Sequence, residues 1–199
     1  MQVALKPGTM ITLSDEQTLN ANMRSGKGPI PSDKIIRKTY PIHQKDTGTD
    51  WHLHDLGDGD FLMVKTVNDL QDIRHYNLIQ DETFKEGNRQ DQVDAGRLWL
   101  FQEPKDPENF KLDDLEYTKT LNYSGDDDVE HLYVQKDQDQ MARWDDRLAQ
   151  IIEYKTEDSC LSPEIVLIEL GEGDSGGLIM MMIGSNITAQ EIVVLGKEA

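Results

Sequence analysis

The chain is 199 residues long and carries 20 Lys and Arg against 38 Asp and Glu, a net charge of −18 with histidine neutral. That sign excludes a protein that coats nucleic acid without regard to sequence, because phosphate contacts need cations. Leu, Ile, Val and Phe make up about a quarter of the chain, above the roughly 20% below which disorder prevails, so a packed core is expected without disulfide or structural metal.

In chain order, Val3 to Leu13 reads as a strand, with Lys6-Pro7-Gly8 marking a turn or an entry into a sheet. Residues 20–33 carry Gly, Pro, Ser and Asn and predict a loop, and Ile35 to His43 is β-prone. The strongest local signal is DWHLHDLGDGDFLMVKTV, two apolar-rich runs around Asp58-Gly59. Asp-Gly readily adopts the positive φ angles of a type I′ turn, so a two-residue hairpin is predicted there. Ile73 to Ile79 follows as a strand, then a polar loop over 81–93, then Arg97 to Phe101 as a short buried strand. Glu116 to Asn122 and Glu130 to Gln135 predict two strands of a hairpin with a long acidic loop. Met141, Trp144, Leu148, Ile151 and Ile152 fall on one helical stripe, which predicts an amphipathic helix over 139–155. Glu164 to Leu170 and Leu178 to Ile183 flank a Gly-rich loop as a further hairpin, and Ile192 to Leu195 is a closing strand.

The expected fold is mainly β (α+β), with antiparallel sheets and hairpins forming a barrel- or sandwich-like core and one or two short helices. It reads as a single domain over 1–199, or as two β-rich halves, 1–80 and 94–199, joined by the polar loop. The acidic excess is concentrated over 81–160, and Asp113, Asp114, Glu116, Asp126, Asp127, Asp128 and Glu130 mark an acidic face for a basic partner.

Three constellations bear on chemistry. Gly173-Asp174-Ser175-Gly176-Gly177 matches the nucleophile segment of chymotrypsin-like serine proteases. A serine needs a base and an oriented acid behind it, and none of His43, His52, His54, His75 or His131 has the surroundings of that family's histidine, so the string reads as a hairpin loop. On a strand, His52 and His54 point to one face and Trp51 and Leu53 to the other. Such a pair is half of a cupin-type metal site, with Asp58 as the acid and His75 or His131 as a third ligand; the plainer reading is two exposed-face histidines opposite a core face. Asp55, Asp58 and Asp60 around the Asp-Gly turn, and Asp126 to Asp128, are carboxylates spaced closely enough to hold Ca²⁺ or Mg²⁺ weakly, but there is no EF-hand loop and turn chemistry already accounts for the first cluster. Trp51, Trp99 and Trp144 lie in apolar patterns and read as core anchors.

The lone cysteine, Cys160, excludes an intramolecular disulfide framework. The first residues lack a signal-peptide pattern, and the longest apolar run, 178–184, is too short to span a bilayer, so a cytoplasmic protein that does not insert into membranes is expected.

The closing segment, from Glu164-Ile165-Val166-Leu167-Ile168-Glu169-Leu170 through Gly184-Ser185-Asn186-Ile187-Thr188 to Ile192-Val193-Val194-Leu195, resembles the end of the uncharacterised bacterial family containing YjfK, with its glycine-containing turn before a last strand. The Trp51 to Val64 hairpin is similar to that family's central hairpin, and Leu5 to Leu13 to its opening strand; the loop at 20–33 and the stripe at 139–155 depart from it. The resemblance implies no activity and no catalytic residue. Members tend to be encoded beside phage-shock-protein-A-like, ESCRT-III-related membrane proteins, which implies an acidic accessory factor. The expected function is thus a non-enzymatic interaction protein with no cofactor and no direct nucleic-acid contact. Two alternatives are a DNA-mimic inhibitor of a nucleic-acid-binding protein, suggested by the charge, and a metal-dependent cupin-like enzyme using His52 and His54.

Overall fold

A computed structural model describes residues 5–44, 49–78, 109–112, 115–123, 132–135, 144–156, 164–170 and 178–197. They hold thirteen strands and one α-helix, so the mainly-β expectation is met, and every ladder whose register is described is antiparallel. The chain divides into two compact units. Unit 1 is Met1–Pro41, Thr49–Asn77 and Gly184–Ala199; unit 2 is Ile42–Gly48 and Leu78–Ile183. Among the described residues no helix is long and apolar enough to cross a membrane.

Unit 1 begins with β1 (Thr9–Leu13), whose alternating burial reflects its Ile11/Leu13 face. Helix α1 (Glu16–Arg24) follows. It takes the place of the first part of the expected loop, and the reason is its ends. Asp15 is the N-cap and accepts from the Thr18 amide, Glu16 and Arg24 suit the two poles of the helix dipole, and Gly26 sits past the end at φ +78°. There the Gly26 amide donates to the Met23 carbonyl and the Lys27 amide to that of Asn22, a Schellman closure. Gly, Ser and Asn, which read as loop residues, are here a helix stop.

Next come β2 (Ser32–Ile35) and β3 (Lys38–Gln44), then a meander of β4 (Thr49–Gly57), β5 (Asp60–Val67) and β6 (Leu70–Leu78). The Asp58-Gly59 hairpin forms as expected, with φ of 56° and 83° and Gly57 opposite Asp60. A second two-residue turn, Asn68-Asp69, has φ of 48° and 66° and joins β5 to β6. Asn and Asp tolerate this left-handed region better than other non-glycine residues. From β12 (Leu178–Ile187) the chain passes through a 3-10 turn, Ala189–Glu191, into β13 (Ile192–Lys197). The Gly184 to Ile187 segment, part of the expected turn, therefore belongs to a strand, and the turn begins at Thr188. β13 and β2 flank β1 in a three-stranded sheet. Ile11, Leu13, Ile36, Leu56, Leu62, Val64, Ile73, Ile187 and Ile192 form one apolar core cluster.

In unit 2, β7 (Asn109–Leu112) and β8 (Leu115–Tyr123) make a hairpin, and β9 (Leu132–Gln135) precedes β10 (Trp144–Lys155). The helix expected over 139–155 is thus a strand from Trp144 onward. Ladders decide this, since Ile151 to Lys155 of β10 pair with β11 (Glu164–Leu170) along one edge and with β8 along the other, while β9 pairs with β10 over Trp144 to Leu148. Ile151, Glu153 and Tyr154 are all buried, so the run shows no clean two-residue period, while Ile151, Ile152, Tyr154 and Thr156 are strand-favouring types. The expected β8–β9 hairpin is corrected by the same strand, because β10 lies between the two. β11 and the Leu178 to Ile183 part of β12 are neighbours, as expected. The expected strand Arg97 to Phe101 lies outside the described residues.

Candidate functional site

Two histidines that unit 1 buries, His54 and His75, share one face of its meander. The registers place His54, Leu62 and His75 in one cross-strand row and His52, Val64 and Ile73 in the next. Leu62, Val64 and Ile73 belong to the core cluster, so this face of the meander is a core face. Trp51 and Leu53, on the opposite face of β4, are fully buried as well. The reading of His52 and His54 as exposed-face residues is therefore corrected: His54 is 2% exposed and His52 half-buried. Around His54 the strand is buried on both faces, so alternation gives that histidine no solvent side.

The His52 and His54 rings stack with centroids 6.1 Å apart and planes within 10°. Thr39 of β3 shares a 2.8 Å hydrogen bond between its Oγ1 and His54 Nδ1. Burial, and then the neighbouring His52, push His54 down to about 3. Burial also lowers His52, against the attraction of Asp50. Both imidazoles are therefore neutral near pH 7.

His75 has a different partner. Its Nδ1 lies 2.9 Å from Asp15 Oδ2, and both side chains are almost wholly buried. The same carboxylate accepts from Thr18 Oγ1 at 2.6 Å and from the Thr18 amide at 3.4 Å. Burial by itself raises the Asp15 carboxyl, but the bond and charge of His75 together with the Thr18 bonds outweigh it and leave it below the usual value. Ionised, Asp15 can only accept, so His75 Nδ1–H is the donor. That leaves Nε2, which has no hydrogen-bond partner among the described residues and no exposed surface. An acid behind an imidazole is the orienting half of a catalytic triad. Here the imidazole has no route to solvent, and the neighbouring Ser14 hydroxyl is engaged with the Glu191 carbonyl at 3.3 Å. The pair instead ties the start of α1 to β6. Gln17 of α1 adds a 2.6 Å bond to Asn77, Asn77 donates to Asp60, and Lys34 of β2 pairs with Asp60.

The carboxylates of the Asp-Gly turn have local duties. Asp55 accepts from the Gly57 amide at 2.7 Å, Asp60 holds Lys34 and Asn77, and the exposed Asp58 lies 3.8 Å from Arg37. Of the proposed third metal ligands, His75 is turned to Asp15 and His131 lies outside the described residues. Among the described residues no group of three His, Cys, Asp or Glu is placed to hold a metal ion. Of the acidic face, Glu116 stands exposed on β8. Asp113, Asp114, Asp126, Asp127, Asp128 and Glu130 lie outside the described residues, as do Ser175 with its glycine-rich loop, Trp99 and Cys160. The Asp15–His75 pair was not legible in sequence, because its members are 60 positions apart; only Asp15, followed three residues on by Thr18, carries a local capping signal. Comparison with protein-family models, with curated proteins and with solved structures finds no match.

Proposed function

We propose that this chain is a non-catalytic, cytoplasmic interaction protein whose acidic unit 2 docks a partner with a basic surface. The observation that carries the reading is the division of charge. Unit 2 has 27 acidic residues to 11 basic ones, whereas unit 1 is nearly balanced at 11 to 9. A field of one sign over one unit speeds association with a partner of the other sign and disfavours nucleic acid. The carboxylates buried or half-buried in unit 1 serve a cap, a turn and ion pairs, which further supports placing the recognition charge in unit 2. The family resemblance suggests a phage-shock-protein-A-like, ESCRT-III-related protein as the partner.

The test is calorimetric titration of a purified protein of that class into the full chain at low and at raised salt. A second titration uses a variant carrying Asp126→Asn, Asp127→Asn, Asp128→Asn and Glu130→Gln. Binding that weakens with salt and with neutralisation supports the reading. Absence of binding at low salt removes this partner, and binding indifferent to both changes removes the acidic face. Competition by duplex DNA for the same partner would favour mimicry instead.

A further inference from the structure

The three-stranded sheet of unit 1 has two edges of opposite character. The β2 edge follows Pro31 and carries Asp33, which accepts from Thr12 Oγ1 at 2.6 Å, and Lys34, which pairs with Asp60. Pro and charge are the usual defences of a sheet edge against added strands. On β13, by contrast, Val193, Val194 and Leu195 are consecutive and 52%, 47% and 53% exposed. Its outer side pairs with no strand among the described residues.

We propose that β13 is a dimerisation strand, pairing antiparallel with β13 of a second copy of this chain about a two-fold axis at Val194. The strand's own sequence singles out that occupant. Antiparallel pairing about Val194 sets Val194 opposite itself, Val193 opposite Leu195, Ile192 opposite Gly196 and Glu191 opposite Lys197. The centre is apolar, and just beyond it the register sets the acidic Glu191 of the 3-10 turn, whose Oε2 accepts from the Thr188 amide and hydroxyl, opposite the basic Lys197, once on either side of the axis. Unit 1, with 11 acidic and 9 basic residues, adds little repulsion between the two copies at this face. One feature blunts the edge: Leu195 has no partner in the β1 ladder, where the register slips between Met10 and Ile11. Pairing about Val194 places that residue in the apolar centre of the contact, opposite Val193. Two three-stranded sheets would then join into one of six strands, with the defended β2 edges outermost.

The test is sedimentation of the full chain over about 1 to 200 µM, a range in which a moderate dimer reveals its mass action. The parent is expected to shift from monomer to dimer. Val194→Arg, which sets two guanidinium groups face to face on the axis, is expected to remain monomeric over the whole range. Lys197→Glu, which sets like charges at both ends, is expected to weaken association by roughly tenfold. Melting curves at low concentration, unchanged from the parent, establish that both variants fold. A parent that stays monomeric at every concentration overturns the proposal. So does a Val194→Arg variant that dimerises as tightly as the parent, since the interface would then lie elsewhere.

Discussion

The two units share an antiparallel strand architecture and differ in what they do with charge. Unit 1 turns many of its polar residues inward and gives them partners: Asp15 with His75 and Thr18, His54 with Thr39, Asp60 with Lys34 and Asn77. Unit 2 carries more than twice as many acids as bases, with Glu116 exposed on β8. A large formal charge is therefore a poor guide to the average residue. In unit 1 electrostatics is a matter of individual buried pairs, sensitive to single substitutions and pH; in unit 2 it is a collective field, sensitive to salt.

The largest break in that comparison is expected at Asp15→Ala. It removes a helix cap and strands a buried imidazole, and breaking a buried pair from one side costs about 3–5 kcal/mol. Urea denaturation should show the loss, and hydrogen exchange should place it in α1 and β6; an unchanged midpoint would mean the pair contributes nothing. Next is Gly184→Ala. A Cβ there would meet the His75 carbonyl oxygen at 2.0 Å and the Tyr76 ring at 2.7 Å, and backbone cannot step aside as a side-chain tip can. Overpacking of this kind costs about 1–3 kcal/mol, read from the same denaturation midpoint.

The pH dependence follows in size. His54 titrates at about 3 when folded and near 6.5 when unfolded, so between those values the unfolded chain binds the extra proton. Its contribution is complete above pH 6.5 and is lost as pH falls toward 3, on the order of 2 kcal/mol by pH 5. Asp15 is lowered instead, so its contribution holds down to the ordinary carboxylate range and disappears below it. The urea midpoint should thus fall between pH 7 and 5, and His54→Leu should flatten the slope; an identical slope in the variant would reassign the effect.

Gly59→Val is expected to cost about 1–2 kcal/mol, because φ of 83° strains any side chain and a β-branched one most. A melting curve that does not move would contradict the I′ turn. The smallest effect belongs to unit 2: neutralising Asp126, Asp127, Asp128 and Glu130 should change stability by less than about 0.5 kcal/mol. Raising salt should nevertheless slow exchange in β10 and β11 more than in β5, and equal responses would erase the distinction between the units.

Local signals were legible where the chain itself supplies the cause. Asp58-Gly59 made its hairpin because positive φ is a property of those two residues, and the closing strand at Ile192 follows from its aliphatic run. The stripe at 139–155 misled because Trp144, Leu148, Ile151 and Ile152 suit a helix when read alone, whereas β10 has ladder partners on both edges. His52 and His54 misled for a related reason. Alternation shows that they share a face, but which faces are buried depends on what packs there.

By itself the sequence determined the β-rich class, the two-residue turn at Asp58-Gly59, the apolar runs and the concentration of acid in the middle of the chain. Each of these rests on the backbone preferences or the charge of neighbouring residues. Only the tertiary structure decided that Asp15 meets His75, that His54 is buried and held neutral, that Gly184 must lack a side chain and that residues 144–155 form a strand. Those outcomes depend on contacts between segments far apart in the chain, and a local pattern carries no record of which distant segment will cover it.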